Sequence, residues 1–224
     1  MKRVAIVPVK RLSNAKMRLS KVLRPNERRA ITEMMLKDVL QAIRSSELLD
    51  DIIVVGSDMP VRRLAKEYRA KFLREPSAGL SISIEYATER SRKNGATSVL
   101  VILADLPLAN ENDVEQMMRL GLDAAVVISP SRTEGTNALL RTPPDAIRIE
   151  YGYESFVNHL KAIQERDIPF KVLWTPSLSF DVDTPGDLWQ LLGRPVETHT
   201  TRFLKSIDAL KRLTQYWTKV KQVP

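Results

Sequence analysis

Continuous apolar runs alternate with amphipathic segments along the first 130 residues of the chain. The apolar runs lack a polar residue at every second position, so they predict strands that are buried on both faces of a sheet. These runs lie at 4–9, 51–58, 98–105 and 124–130, with a shorter strand at Lys71–Arg74. The segments between them carry apolar residues at helical spacing and predict helices. These helices cover 27–46, 59–70, 79–95 and 109–122.

Polar residues and a glycine mark the ends of three of these helices. Asn26, after Pro25, and Asn110 have side chains that can accept a hydrogen bond from a first helical turn, so both are predicted N-caps. Gly95 stands at the C-terminal end of its helix, where glycine adopts a left-handed conformation easily. The alternation of strand and helix predicts an α/β fold, a mostly parallel sheet with helices on both faces.

The pattern is less regular after residue 130. It predicts a helix at 153–166, a strand at 170–174 and a C-terminal helix from Thr200 to Lys221 with one apolar face. We expect a single domain at 1–199. We expect the basic helix at 200–224 to pack on that domain or to form a contact between two copies in a homodimer.

The composition excludes several classes of site. The chain has 224 residues, 43% of them apolar, and no cysteine, so disulfides, thiolate zinc sites and a cysteine nucleophile are excluded. No stretch approaches the length of a membrane span, and the N-terminus lacks the apolar segment of a signal peptide. We therefore expect a soluble, cytoplasmic protein with no membrane partner.

Positive charge is concentrated at the two ends of the chain. The formal net charge is +8, but residues 1–29 hold ten Lys or Arg against Glu27 alone, and residues 200–224 hold six against Asp208 alone. A basic nucleic-acid-binding protein would have such clusters. A polyphosphate site at the N-terminal end explains the first cluster equally well.

Cations and carboxylates follow the ends of predicted strands, where open parallel sheets bind ligands. The cations come after the first strand and the carboxylates after later segments: Lys10, Lys16 and Arg18, then Asp105, Asp181 and Asp183. An aspartate at a strand end can also cap the next turn. Carboxylates and cations in one crevice nevertheless suit a polyphosphate with bound Mg²⁺, because carboxylates bind the metal and Lys or Arg bind phosphate oxygens.

Two glycine-containing segments are further candidates for binding a small anion. Gly135-Thr136-Asn137 offers backbone N–H groups and a hydroxyl. In the segment YGYESF, Gly152 lets the backbone approach a ligand, and Ser155 is placed to cap the helix that follows. Each segment can instead be an ordinary turn or helix start.

The two histidines, His159 and His199, suggest neither a Ser-His-Asp set nor a metal cluster. We expect His159 to pack in its helix or to lie at the surface. A phosphate oxygen is a suitable nucleophile for a site without a histidine base, since it is already ionised at neutral pH. Such a reaction needs charge neutralisation and in-line positioning.

Five segments occur in the order found in one enzyme family: VPVKRLSNAKMRLS, ILADLPLAN, PSRTEGTNALL, YGYESFVNHL and FDVDTPGDL. Through them residues 3–192 resemble the 2-phospho-L-lactate guanylyltransferases of coenzyme F-420 biosynthesis. The resemblance implies a Rossmann-like nucleotidyltransferase fold of the nucleotide-diphosphosugar transferase type. It also implies that GTP and (2S)-2-phospholactate react to give lactyl-2-diphospho-5'-guanosine and pyrophosphate. Bacterial relatives use phosphoenolpyruvate instead.

The resemblance further implies roles for individual residues. The implied groups are Mg²⁺ ligands (Asp105, Asp183 and Asp181), triphosphate-binding cations (Lys10, Lys16 and Arg18) and contacts to the phosphorylated acid (Thr136, Gly152 and Ser155). Asp105, Asp183, Lys16 and Arg18 are the implied catalytic residues. The segment EPSAGLSISIEYA is expected near the nucleotide through Gly79 and Ser81, and many relatives carry Asn where this chain has Ser81.

Other functions stay open at this stage. The same fold could serve phosphoenolpyruvate, a sugar phosphate or the molybdenum cofactor as acceptor. Sugar nucleotidyltransferases usually have a glycine-rich first loop, and residues 8–20 contain no glycine, which counts against them. The non-enzymatic alternative is nucleic-acid binding by the basic ends. For the C-terminal cluster we favour the solvated face of a packing or dimer helix.

Overall fold

A seven-stranded sheet with helices on both faces forms the frame of the protein. The computed structural model describes residues 1–77 and 79–220. The strands are β1 (Lys2–Pro8), β2 (Asp51–Gly56), β3 (Lys71–Arg74), β4 (Ala96–Ile102), β5 (Val126–Pro130), β6 (Thr136–Arg141) and β7 (Phe170–Val172). The helices are α1 (Pro25–Ser45), α2 (Met59–Glu67), α3 (Leu80–Lys93), α4 (Glu111–Leu120), α5 (Ser155–Gln164), α6 (Pro185–Leu192), α7 (His199–Ser206) and α8 (Ala209–Val220).

The strand order across the sheet is β3-β2-β1-β4-β6-β5-β7. Strand β6 runs antiparallel to β4 and β5, while the other paired strands are parallel. The predicted α/β fold with a mostly parallel sheet is confirmed. Because β6 is reversed, its first residue, Thr136, pairs with Pro130 at the end of β5. The start of β6 therefore lies at the same sheet edge as the carboxyl ends of β1, β4 and β5.

Successive residues of the central strands pack on opposite faces of the sheet. On one face Ala5 and Val7 of β1 pack in a cluster with Leu40 of α1. On the other face Val4 and Ile6 pack in a cluster with residues of α3 and α5. Both faces are covered, which explains why the strands are continuous apolar runs. Strand β4 ends at Ile102, earlier than the predicted end at residue 105, so Asp105 lies in the loop beyond it.

The C-terminal segment forms two helices, not the single helix predicted from Thr200. Helices α7 and α8 are separated at Asp208, which has a left-handed backbone conformation with φ of 51°. Aspartate tolerates this conformation better than most residues. The break directs both Leu204 and Leu213 into a third apolar cluster with Ile31 and Met35 of α1. Lys221, the predicted helix end, lies outside the described residues.

Of the two predicted helix N-caps, one differs from the sequence prediction and one is confirmed. Helix α1 begins at Pro25, and Arg24 holds the N-cap position that was predicted for Asn26. Proline favours the first helical position because its φ is preset and no hydrogen-bond partner is needed for its nitrogen. Asn110 caps α4 as predicted, and its side chain accepts a hydrogen bond from the N–H of Asp113. In the part of the chain that the structure describes, no helix has the length and apolarity to span a membrane.

Candidate active site

The candidate active site lies where the chain leaves β1 and β4. These strands are parallel neighbours, so the loops after Pro8 and Ile102 enter the same crevice. The loop after β1 contains two 3₁₀ turns, Leu12–Asn14 and Met17–Lys21. Asp58 holds the first turn in place, since its carboxylate accepts a hydrogen bond from the N–H of Leu12 at 3.0 Å.

Lys16 stands between the two 3₁₀ turns and reaches two carboxylates. Its backbone has a left-handed conformation with φ of 50°. Its Nζ lies 2.7 Å from Oδ2 of Asp105 and 2.7 Å from Oδ1 of Asp183. Burial is the largest single influence on the pKa of Lys16 and lowers it, but the charges and hydrogen bonds of the two aspartates together raise the pKa above its ordinary value. Lys16 is therefore a charged, enclosed ammonium held by both acidic residues.

A backbone contact joins the two acidic segments. The N–H of Val182 donates to the carbonyl oxygen of Asp105 at 3.1 Å, so Asp181 and Asp183 flank the Asp105 loop. Burial raises the pKa of Asp181, and the negative charges of Asp105 and Asp183 raise it further. Oδ1 of Asp105 and Oδ1 of Asp181 are buried and have no hydrogen-bond partner among residues 1–77 and 79–220. Unsatisfied carboxylate oxygens of this kind are costly and mark a place suited to a cation.

Asp181 does not complete a set of three metal ligands in this conformation. Among residues 1–77 and 79–220, no group of three or more Asp, Glu, His or Cys side chains is arranged to hold a metal ion. The structure brings Asp105 and Asp183 together around Lys16 and leaves Asp181 beside them. Two carboxylates suffice for Mg²⁺, which usually keeps water and phosphate oxygens as its other ligands.

Asp187 and Arg132 fix the position of Asp183. Oδ2 of Asp187 accepts hydrogen bonds from the N–H of Asp183 at 3.0 Å and from the N–H of Thr184 at 2.7 Å. Oδ1 of Asp187 accepts from the guanidinium of Arg132 at 2.7 Å. Burial opposes the charge of Asp187, but these hydrogen bonds leave its pKa below the ordinary value. Neither residue was predicted from the sequence, although Thr184 and Asp187 have the spacing of a capping box at the start of α6.

Three adjoining clefts meet at this edge of the sheet. The central cleft has a volume of about 340 Å³ and is lined by Lys10, Lys16, Arg18, Asp105 and Asp183, among others. The β3 cleft has about 230 Å³ and extends from it toward β3, and the β6 cleft has about 400 Å³ and extends toward β6. Lys10 lines all three clefts. All three predicted cations therefore lie at the site, but only Lys16 contacts both carboxylates.

The β6 cleft brings together the residues expected to contact a phosphorylated acid. Thr136, Gly152 and Ser155 all line it, together with Asp181 and Asp183. Gly152 has φ of 150°, a conformation that a side chain would strain, and open space lies where its Cβ would be. Thr136 precedes Gly152 and Ser155 by 16 and 19 positions in the chain, and the fold brings all three to the β6 cleft.

The hydroxyls of Thr136 and Ser155 can both donate a hydrogen bond to a ligand. His159 accepts a hydrogen bond from the N–H of Glu150 through Nε2. Burial, followed by the charge of Arg141, lowers the pKa of His159 to about 4, so the ring is neutral and its proton lies on Nδ1. That N–H donates to Oγ1 of Thr136 at 2.9 Å. Because Thr136 is the acceptor there, its own O–H stays available.

Hydrogen bonds in this region favour the alternatives that the sequence left open, an ordinary turn at 135–137 and a helix start at which Ser155 is not the cap. The N–H of Gly135 donates to Oγ of Ser131 at 2.8 Å, and the N–H of Thr136 donates to Oγ of Ser155 at 2.8 Å. These backbone groups are thus already paired and do not form an anion-binding turn. Ser155 ties α5 to β6 in this way and does not cap α5, because Glu154 holds the N-cap position.

The two residues expected near the nucleotide separate in the structure. Gly79 lines the β3 cleft. The hydroxyl of Ser81 instead donates to the carbonyl of Tyr151 at 3.2 Å and accepts from the N–H of Tyr151 at 3.1 Å. Ser81 therefore supports the loop beside the β6 cleft.

Comparison with known proteins places the chain in a family. The model of the CofC-like guanylyl transferases matches residues 3–215. The chain belongs to this family. The match reaches beyond residue 192, where the sequence resemblance ended, and includes α7 and part of α8. The protein is accordingly an enzyme, a nucleotidyltransferase of the guanylyl-transferring kind.

The relatives of this chain are named for two different substrates. The chain is 35% identical over 191 residues to the phosphoenolpyruvate guanylyltransferase of Sphaerobacter thermophilus, covering 85% of this chain and 92% of that protein. It is 32% identical over 203 residues to the 2-phospho-L-lactate guanylyltransferase of Methanocaldococcus jannaschii, covering 90% of this chain and 88% of that one. A solved structure described as a nucleotide-diphospho-sugar transferase from Desulfovibrio desulfuricans has a TM-score of 0.78, with 18% identity and coverage of 96% and 99%. The last similarity shows the shared fold alone.

Proposed function

We propose that this enzyme transfers the guanylyl group of GTP to (2S)-2-phospholactate in coenzyme F-420 biosynthesis. The observation that carries the proposal is the pair Asp105 and Asp183, which converge on one ammonium nitrogen where the three clefts meet. Phosphoenolpyruvate is the second candidate acceptor, because relatives at 35% and 37% identity carry that substrate in their names. Both acceptors are small phosphorylated acids.

The proposed reaction joins two anions. An oxygen of the acceptor phosphate attacks the α-phosphorus of GTP, the bond from that phosphorus to the bridging oxygen of the β-phosphate breaks, and pyrophosphate leaves with the bonding electrons. Repulsion between the two anions is the main obstacle, so the site must supply positive charge and alignment. A general base is not required, since the attacking oxygen is already ionised.

The chain's own residues divide this work. Lys10, Lys16 and Arg18 line the central cleft and would bind the triphosphate and the departing pyrophosphate. The O–H groups of Thr136 and Ser155, with the open backbone at Gly152, would orient the acceptor in the β6 cleft. Lys10 stands between the clefts and would neutralise both partners.

The site also fits Mg²⁺. Asp105 and Asp183 would hold the ion, and the unpartnered Oδ1 of Asp105 provides a free ligand oxygen. When bound, Mg²⁺ would supply neutralisation of the phosphate charge. Asp181 stays a predicted additional ligand, and the homodimer stays a prediction.

Pyrophosphate release tests the proposal. Each of the four NTPs is combined in turn with 2-phospho-L-lactate, with phosphoenolpyruvate and with no acceptor, and the nucleotide product is identified by mass spectrometry. We expect acceptor-dependent release with GTP, fastest with 2-phospho-L-lactate. Faster reaction with phosphoenolpyruvate would select the second candidate. No reaction of GTP with either acceptor would contradict both.

A further inference from the structure

One carboxylate, that of Glu75, lies in the β3 cleft among apolar residues and the polar side chains of Lys10, Arg11, Asn14 and Ser83. Glu75 directly follows β3, and its backbone N–H donates to the carbonyl of Gly56 at 3.1 Å, which fixes its place beside β2. Its side chain is only 13% exposed. Val9, Val55 and Leu80 line the same cleft and offer apolar surface for a flat ring. A small number of polar groups in an apolar pocket is the arrangement that gives ligand specificity.

Among the residues that the structure describes, the partners of this carboxylate are weak. The closest cation, Nε of Arg11, is 3.7 Å from Oε1, and Oγ of Ser83 is 3.4 Å from Oε2. Both separations exceed those of strong charge-assisted hydrogen bonds. An ionised carboxylate has about four lone-pair positions, so Glu75 keeps capacity to accept hydrogen bonds from a ligand.

The β3 cleft is placed to receive the base of a nucleotide. It shares Pro8, Val9, Lys10, Asn14 and Leu80 with the central cleft, so the two are continuous. Asp105 and Asp183 lie in the central cleft and border the β6 cleft, whereas neither lines the β3 cleft. If the triphosphate of GTP occupies the central cleft, as the proposed function requires, the nucleoside extends away from the acceptor and toward Glu75.

Hydrogen-bond chemistry then selects among the bases. Guanine alone presents two adjacent donors, N1–H and the N2 amino group, on its pairing edge. Adenine and cytosine present an amino group next to an acceptor nitrogen, and uracil presents one N–H between two carbonyls. A carboxylate has two acceptors side by side, so it matches guanine and repels the acceptor atoms of the others. We propose that Glu75 accepts both donors of guanine and is the residue that selects GTP.

Nucleotide binding without an acceptor tests this inference directly. Isothermal titration of the wild-type protein compares GTP with ITP, which lacks only the N2 amino group, and with ATP. We expect ITP to bind roughly 5- to 150-fold more weakly than GTP, the range for loss of a paired base contact. Equal affinity for GTP and ITP would overturn the proposal without any variant.

Glu75→Gln gives the second test. The glutamine amide has one acceptor and one donor, which matches the N1–H and C2 carbonyl of xanthine and mismatches guanine. We expect this variant to bind GTP at least about tenfold more weakly and to prefer XTP over GTP. Glu47, which is exposed in the turn after α1, provides the matched control: Glu47→Gln should keep the wild-type order of nucleotide affinities. An unchanged GTP preference in a folded Glu75→Gln protein would overturn the inference.

The inference and the proposed function fail in different ways. If the wild-type protein transfers guanylyl groups but Glu75→Gln keeps the wild-type order of nucleotide affinities, Glu75 does not recognise the base and the proposed function is unaffected. If wild-type protein binds GTP with ITP discrimination but transfers nothing to either acceptor, the proposed reaction fails while Glu75 keeps its role. Circular dichroism and thermal melting establish that each variant is folded.

Discussion

The side-chain nitrogen of Lys16 lies 2.7 Å from a carboxylate oxygen of Asp105. The same nitrogen lies 2.7 Å from Asp183, and the lysine side chain is 9% exposed. The ammonium thus occupies the position that a cation shared by the two carboxylates would take. A divalent ion that bound these same two oxygens would compete with Lys16 for them, and in the proposed reaction a triphosphate in the central cleft would give the displaced ammonium a new partner.

Removal of the Lys16 charge should therefore strengthen metal binding in the absence of nucleotide. We expect Lys16→Met to bind Mn²⁺ at least about tenfold more tightly than wild type, because hydrogen bonds to charged groups contribute about 1.5–3 kcal/mol each and no longer compete. Electron paramagnetic resonance measures free Mn²⁺ in this titration. Lys10→Met is the control, since the exposed Lys10 adds a similar charge without contacting both carboxylates. If Mn²⁺ affinity increased equally in both variants, the cause would be the overall electrostatic potential of the cleft and not direct competition by Lys16.

Asp105→Asn should abolish most guanylyl transfer while the fold persists. The amide keeps the shape of the side chain but lacks the negative charge that would bind a metal ion. The lost stabilisation of the transition state, several kcal/mol, corresponds to a decrease in turnover of at least about 100-fold. Coupled measurement of pyrophosphate gives the rate. The exposed Asp123→Asn is the matched control and should behave as wild type. Near-normal turnover of Asp105→Asn would refute the metal assignment.

Asp187 should act through the position of Asp183. Asp187→Ala removes the acceptor for two backbone N–H groups at Asp183 and Thr184, and we expect Mn²⁺ affinity to fall about 10- to 100-fold. Asp187→Asn keeps one oxygen acceptor and should retain more of the affinity. The positioning role is rejected if Asp187→Ala binds Mn²⁺ as tightly as wild type.

The buried His159 should make stability depend on pH. Its pKa in the folded protein is lowered from 6.5 to about 4, chiefly by burial, so the unfolded chain binds a proton in this range that the folded protein does not. The contribution of His159 is complete above pH 6.5 and is lost as the pH falls to 4, by up to about 3 kcal/mol. Urea unfolding at several pH values measures it. In His159→Gln the free energy of unfolding should vary less over this window, and parallel curves for the two proteins would contradict the prediction.

The C-terminal helices should be part of the folded core. Leu213 of α8 is fully buried against the cluster that contains Ile31 and Met35, whereas Leu210 of the same helix is 53% exposed. We expect Leu213→Ala to lower the free energy of unfolding by about 2–5 kcal/mol and Leu210→Ala to change it by less than about 0.5 kcal/mol. Chemical denaturation compares them. Similar small effects would mean that α8 is not integral to the fold.

The strand pattern and the acidic strand ends were readable from the sequence because they depend on local composition. Residues 4–9 and 99–104 are apolar throughout because both faces of β1 and β4 are covered, and Asp105 stands out as the first charge after such a run. The break at Asp208 was not readable in the same way. The amphipathic pattern continues across it, and only packing of both Leu204 and Leu213 into one cluster makes the break favourable.

The site was only partly readable for a related reason. Lys16, Asp105 and Asp183 could each be named, but their separations in the chain of 89 and 167 residues hide the contact of one ammonium with two carboxylates. Glu75 and Arg132 lie in segments that the sequence singled out, but neither was assigned a role, because their surroundings come from other elements. Ser81 and the N–H of Gly135 were assigned by local chemistry and turned out to bind other parts of the chain.

The sequence by itself determined the class of fold, the family and the chemical types gathered at the sheet edge. Hydrophobic periodicity and residue chemistry are local properties, so they can be identified from the amino-acid sequence alone. The tertiary structure alone decided which cation meets which carboxylate, which hydroxyls keep a free proton and which cleft holds Glu75. Those facts depend on hydrogen-bond distances of about 3 Å between residues far apart in the chain, and only the packed sheet and its loops set such distances.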